Sequence, residues 1–429
     1  MLACAVLGAV SIVVPAASAT ADPAVPGCGA DHFVAGWTAS VTDAVTPLDP
    51  TGTVVPSVVS DQSFRMMITP HLGGSTLRIR LSNRFGLTPV TFGAVTIGTQ
   101  DIGAAVRNPR PVTFGAGRSA VVPAGSEIVS DPVELSFAAF TRLAVSIHVA
   151  GTAGPPTKHW NANATSYYSP TGSGDLTGGD SGAGFTEKTY SWLYVDALEV
   201  SAPASTRSIV AFGDSITDGM ITNSPVGVPA EIALADTDGR YPDVLQRRLD
   251  AAGIPLSVAN AGIGSNRLVT DGQPLMLGPS GIQRFRRDAL EQAGVAGVLV
   301  LEGINDLGLP PQANADQMIA GLRQVVAEAR QAGVKIWLGT ILPAADALVN
   351  GVAIAPASED FRQRINAWIR TQQIADGVVD FDAALRDPTD PTVLARAYSG
   401  PDRLHPNLAG YRAMADAVDL TMLAEALDC

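Results

Sequence analysis

Ile209-Val210-Ala211-Phe212-Gly213-Asp214-Ser215-Ile216-Thr217-Asp218-Gly219 joins an apolar run to a turn of glycine, acid and hydroxyl, and its reading decides the architecture of the C-terminal half. Four successive apolar residues bounded by glycine read as a buried strand. The chain then turns toward a helix, which leaves Ser215 just past a strand end and exposed for attack. Outward from this stretch, further apolar strands are expected at residues 256–260, 297–301, 334–341 and 378–381. Tyr241, Val244, Leu245 and Leu249 lie between them at helical spacing, as do Ile319, Leu322 and Val326, with Gly333 as a left-handed stop. A last helix starts near Asn407 and turns Tyr411, Met414, Ala415 and Val418 inward. Strands alternating with helices make a three-layer α/β/α domain on a five-stranded parallel sheet. Functional residues are then expected in the loops beyond the strands' carboxyl ends.

The period changes upstream. Between residues 28 and 200 the ordered pieces alternate with period two and are punctuated by Gly, Pro, Ser and Thr. Leu77, Ile79 and Leu81 face one way and Arg78 and Arg80 the other; Leu143, Val145, Ile147 and Val149 repeat the scheme around Ser146 and His148. Half-buried antiparallel strands of this kind build a β-sandwich, jelly-roll-like domain. The Gly-rich stretch 170–184 reads as a loop, and residues 201–206 as the linker to a second domain spanning 207–429.

A chain of 429 residues, 46% of them hydrophobic, has the apolar content for more than one core. The net charge of −13 and a pI near 4.8 argue against a nucleic-acid partner. Residues 2–14 are apolar, too short to span a bilayer, and followed by small-residue cleavage patterns, so residues 1–21 read as a secretory signal. Loss of Cys4 with that signal leaves Cys28 and Cys429, a candidate disulfide in an exported chain. No integral membrane segment is expected, and the mature protein reads as a monomer.

Asp402-Arg403-Leu404-His405-Pro406 supplies what a serine nucleophile lacks. A hydroxyl needs a base to take its proton, and a carboxylate three residues from the histidine can orient the ring. Two loops offer donors for an oxyanion: Asn260-Ala261-Gly262, where the Gly262 N–H is bare, and Gly303-Ile304-Asn305-Asp306, where Asn305 carries an amide. With the Ser215 N–H these make three donors, each worth roughly 3–4 kcal/mol in a transition state.

These four blocks resemble the GDSL-type lipases and esterases, also called SGNH hydrolases. The resemblance covers roughly residue 207 to the C-terminus. It implies Ser215 as nucleophile, Gly262 and Asn305 as oxyanion donors with the Ser215 N–H, and His405 and Asp402 completing a triad. Gly264-Ser265 follows Gly262 where relatives more often have Ser then Gly. The β-rich N-terminal half, including Leu81-Ser82-Asn83-Arg84-Phe85-Gly86, is similar to that of secreted actinobacterial members, some of which resemble carbohydrate deacetylases.

The remaining residues read more plainly. Asp214 and Asp306 are expected to brace loops by accepting backbone N–H groups. His32, His71, His148 and His159 are expected to be structural or exposed, and no His or Cys spacing suits zinc. Asp236-Thr237-Asp238-Gly239 resembles a fragment of a calcium loop without its other ligands. Tyr190, Trp192 and Tyr194 fit core packing better than a sugar-stacking platform. The expected function is hydrolysis of short acyl or acetyl esters, on small molecules or polysaccharide, with no cofactor. The alternatives are a lipase acting on longer chains and a catalytically silent glycan-binding protein.

Overall fold

From Ser208 to Gly213 every residue of the first C-terminal strand is buried, as expected of a strand with helices over both faces of its sheet. The computed structural model describes residues 30–221, 235–270, 278–349, 352–353 and 357–427. Five parallel strands form one sheet in the order Leu256–Gly262, Arg207–Gly213, Val295–Leu301, Lys335–Gly339, Gly377–Val379. The strand order reverses at Arg207–Gly213, which is where a parallel sheet opens a crevice. Gly213 pairs in register with Gly262 on one side and Leu301 on the other, so three strand ends finish at one level. Phe381, expected at a strand end, instead opens a short helix.

The helices follow the expected spacing. Helix α1 is Ser215–Asp218 and α2 is Tyr241–Ala252; α3, Gly281–Phe285, continues into a π-helical turn, Arg286–Leu290. Then come α4 (Ile304–Gly308), α5 (Ala315–Gln331), α6 (Ala357–Thr371), α7 (Phe381–Leu385) and α8 (Leu408–Asp416). Asn314 and Asn407 cap α5 and α8 with their side chains, and Gly333 takes φ +69 just past α5. Tyr411, Met414, Ala415 and Val418 are buried.

The N-terminal half is an antiparallel β-sandwich. One sheet orders His32–Thr38, Val195–Ala202, Gly74–Ser82 and Glu127–Val129; the other centres on Val59–Ile68, Leu143–Ala153 and Val90–Gln100. Leu77, Ile79 and Leu81 meet Phe64, Met66, Val145 and Ile147 in its core. The strand Val195–Ala202 runs two residues into the stretch read as linker.

Two expectations change. Ser146 and His148 are buried, not solvated, because the 170–184 loop covers their face. Arg65, 0% exposed, ties that loop down by donating to the carbonyls of Leu176, Gly179 and Ser181 and stacking on Phe185. The second change concerns the first sheet's outer face, which packs on the α/β domain. There Thr38 Oγ1 donates to Asn260 O, Ser257 Oγ donates to Ala35 O, and the His71 ring sits between Val258 O and Asp243 Oδ1. Residues 1–21, Cys28 and Cys429 lie outside the described residues.

Candidate active site

Because three strands end in register, the loops beyond them share one edge of the sheet. Asp214 N-caps α1, its Oδ1 accepting the Ile216 N–H at 2.9 Å, and this sets Ser215 as the first residue of the helix. Gly219, at φ +91, ends the helix after one turn. Ser215 is 3% exposed, so the sequence expectation of a well-exposed hydroxyl is not met. A helix that starts two residues past a buried strand end keeps its first residue close to the sheet.

The His405 ring reaches this point from the loop before α8. Asp402 Oδ1 accepts the backbone N–H groups of Leu404 and His405, which curls the loop, and Oδ2 lies 2.6 Å from His405 Nδ1. Arg403 takes φ +60 between them, a left-handed conformation held in place by those bonds. His405 Nε2 lies 2.8 Å from Ser215 Oγ. A carboxylate can only accept, so Nδ1 carries the ring proton and the Nε2 lone pair faces the hydroxyl. Burial alone would push the Asp402 carboxyl up, but the adjoining His405 and the two N–H donors together hold it below the usual carboxylate range.

The three donors expected from sequence sit around the same edge in different states. The Ser215 N–H has no acceptor among the described residues. Asn305, in the first turn of α4, donates one amide hydrogen to Asn266 O at 2.9 Å and keeps a second. The Gly262 N–H donates to the side-chain oxygen of Asn260 at 2.8 Å, so it would serve an oxyanion only by sharing or releasing that bond. Glycine is needed at 262 for packing: a Cβ there would lie 2.2 Å from Asp218 N.

Acidic groups crowd behind the site. Asp306 accepts the N–H groups of Leu268 and Val269, the bracing role expected of it. Burial pushes the Asp214 carboxyl up to about 7, and burial with the nearby Asp214 charge raises Glu302 well above its ordinary value. Asp214 Oδ2 and Glu302 Oε2 are both buried and have no hydrogen-bond partner among the described residues.

Sequence reasoning missed two sets of residues. Arg284, in α3, lies beneath the strand ends. From the sandwich, His159 Nε2 and Asn161 Nδ2 reach the Asp218 carboxylate, each at 3.2 Å, while Asn163 Nδ2 donates to Asp218 O at 2.8 Å. His159 is thus tied to α1. Burial lowers its affinity for a proton, but the Asp218 charge outweighs this and raises its pKa. No spacing in the sequence marks either set.

The other candidates fall away from the site. Trp192 and Tyr194 are buried in the sandwich core, Trp192 against Trp37 and Tyr194 between Phe64 and Phe92, while Tyr190 is partly exposed. Asp236 is engaged by Thr165 and Arg142. Among the described residues no cluster of three His, Cys, Asp or Glu could hold a metal ion, and no helix is long and apolar enough to cross a membrane.

Residues 211–413 match the model of the GDSL-like Lipase/Acylhydrolase family. No curated protein matches the chain. Solved structures similar to it include the native M. smegmatis aryl esterase, at 18% identity and a TM-score of 0.41, over 51% of this chain and 97% of that one. A carbohydrate acetylesterase family member from Sinorhizobium meliloti is 15% identical, with a TM-score of 0.41, over 52% of this chain and 99% of its own. The lipase/acylhydrolase from Enterococcus faecalis is 19% identical, with a TM-score of 0.36, over 51% and 94%.

Proposed function

We propose, from the premise that residues 211–413 form a GDSL-like lipase/acylhydrolase domain and that the protein is a carboxylic ester hydrolase, that Ser215, His405 and Asp402 act as its triad. The observation that carries this reading is the unbroken chain Ser215 Oγ, His405 Nε2, His405 Nδ1, Asp402 Oδ2, with links of 2.8 and 2.6 Å. In the proposed cycle His405 takes the Ser215 proton as Oγ attacks the ester carbonyl. The Ser215 and Gly262 N–H groups and the Asn305 amide hold the oxyanion. His405 then returns the proton to the leaving alcohol, and water, activated by the same nitrogen, hydrolyses the acyl-enzyme.

The substrate of this reading is a neutral ester with a short acyl group, acetyl esters of polysaccharide included. A net charge of −13 disfavours anionic substrates, and the recessed Ser215 favours a small acyl group. A longer acyl chain has one observation in its favour. The Trp160 ring packs beside Gly264, two residues past Gly262, and Leu48 next to it is 42% exposed. A silent glycan-binding role loses its proposed platform, because Trp192 and Tyr194 are core residues. Export through residues 1–21, a Cys28–Cys429 disulfide and a monomeric state belong to the same proposal, resting on the sequence.

Initial rates on p-nitrophenyl esters of two to sixteen carbons test the reading. Turnover highest at two to four carbons and abolished by Ser215→Ala supports it. A maximum at long chains supports the lipase alternative, and absence of turnover from the native protein overturns both. Acetate release from acetylated polysaccharides then identifies the alcohol.

A further inference from the structure

Arg284 is 2% exposed and spends all five of its N–H donors on other groups of the protein. Nη2 donates to Gly213 O at 2.8 Å and to Glu302 Oε1 at 3.2 Å. Nη1 donates to Ala261 O at 2.8 Å, to Asp288 Oδ2 at 3.3 Å and, more weakly, to Ser40 Oγ of the sandwich at 3.5 Å, and Nε donates to Asn266 Oδ1 at 2.8 Å. The guanidinium also stacks on Phe212, 3.9 Å from the ring centre. Each partner except Asp288 and Ser40 belongs to a segment that carries an element of the proposed site. Gly213 precedes Asp214 and Ser215, Ala261 precedes Gly262, Glu302 lies three residues before Asn305, and Asn266 accepts the Asn305 amide on its own carbonyl.

We propose that Arg284 is the positioning residue of the oxyanion site, fixing the spacing of the Ser215, Gly262 and Asn305 donors by binding all of their loops to one rigid plane. The inference rests on the esterase reading above. Two physical effects carry it. First, oxyanion donors act only if they are already placed when charge develops, and a planar fork with five fixed donors holds three strand ends against one another as a flexible ammonium cannot. Second, Ala261 C=O and Gly262 N–H belong to one peptide group. A cation-borne hydrogen bond to that oxygen polarises the amide and strengthens the very N–H assigned to the oxyanion. The π-helical turn that follows Arg284 widens the helix where Arg287 and Asp288 take up their own ion pair.

Arg284→Lys and Arg284→Met, measured beside wild type and Ser215→Ala, test this. The expected result is a kcat on the order of 100-fold lower with KM within about threefold, a loss comparable to removing one oxyanion donor. An arylboronic acid, which forms a tetrahedral adduct on Ser215, should weaken in proportion to kcat/KM, while an unreactive amide isostere of the substrate binds as before. Asn266→Ala, which frees Arg284 Nε and also removes the donor to Pro279 O, should lower kcat about tenfold and serves if the Arg284 variants do not fold. Folded variants that keep the wild-type kcat and boronate affinity, with only a lower melting temperature, overturn the inference and leave the esterase reading standing. A wild-type protein without ester turnover overturns both.

Discussion

Asp402 is bonded three times by its own neighbours, twice through backbone N–H groups and once through the His405 ring, and each bond needs an acceptor. Asparagine at this position would keep the two N–H bonds on its carbonyl oxygen but would present an NH₂ group to Nδ1. The ring proton must then move to Nε2, where it meets the Ser215 hydroxyl donor to donor. Asp402→Asn is therefore expected to lower kcat about 10⁴-fold with little change in KM, the scale seen when a triad carboxylate is neutralised in serine proteases; kinetics on p-nitrophenyl acetate check it. Asp214 behaves oppositely. Its folded-state carboxyl, pushed up to about 7, holds a proton that the unfolded chain releases near 4. Stability from this group is fully present below the unfolded value and is lost as pH rises from there to about 7. Asp214→Asn keeps a capping oxygen for Ile216 and carries no charge. Its melting temperature should exceed that of wild type at pH 8, with the gap closing near pH 4, as scanning calorimetry across that range would read.

At the scale of elements, the site exists because three strands stop in register and α1 starts immediately beyond the middle one. Gly262 is where these elements come closest, and a Cβ there would meet the backbone of Asp218 at 2.2 Å. Gly262→Ala must therefore push α1 and the second strand apart, and kcat on a short ester is expected to fall more than about 100-fold, together with a lower melting temperature. Wild-type kcat in this variant would mean that the contact relaxes without moving Ser215. The parallel sheet was legible in sequence because its buried strands are continuous apolar runs, as at 209–212 and 297–301, and α5 and α8 because an apolar stripe coincides with an end signal, Gly333 for α5 and Asn407 for α8. The Ser215–His405–Asp402 chain was legible because each of its members is local to a short motif. What sequence could not show was made by tertiary contact. Ser146 and His148 alternate like solvated residues, yet a loop pinned by Arg65 buries them. Arg284 gathers residues from 213 to 302, and Asn260, read only as the start of a glycine motif, occupies the Gly262 N–H.

Across the whole molecule the sandwich is bonded into the α/β domain instead of hanging from a linker. Thr38 and His71 bond the strand Leu256–Gly262, Arg287 pairs with Asp196 and Glu127 of the sandwich, and His159, Asn161 and Asn163 hold α1 through Asp218. Several of these groups are buried charges, and removing one partner strands the other away from water. Asp243, bonded to His71 and Arg240, shows the balance: burial alone would raise its carboxyl, but the Arg240 charge prevails and holds it well below the usual carboxylate range. Its contribution is present above the unfolded value and is lost as pH falls through the lower folded one, so the interface should weaken in strong acid. An interface of this kind couples the unfolding of its two halves. The tryptophans allow the coupling to be read, since Trp37, Trp160 and Trp192 lie in the sandwich and Trp337 and Trp368 in the α/β domain. Near pH 7, tryptophan fluorescence and far-ultraviolet circular dichroism are expected to report one coincident thermal transition, with a calorimetric enthalpy equal to the van't Hoff value. His71→Ala, which leaves Asp243 and Val258 O without their partner from the sandwich, should lower that single transition by several degrees and keep it single. Two resolved transitions in the wild-type protein, or a His71→Ala melting curve that overlays the wild type, would show that the halves fold independently and that the sandwich does not restrain α1.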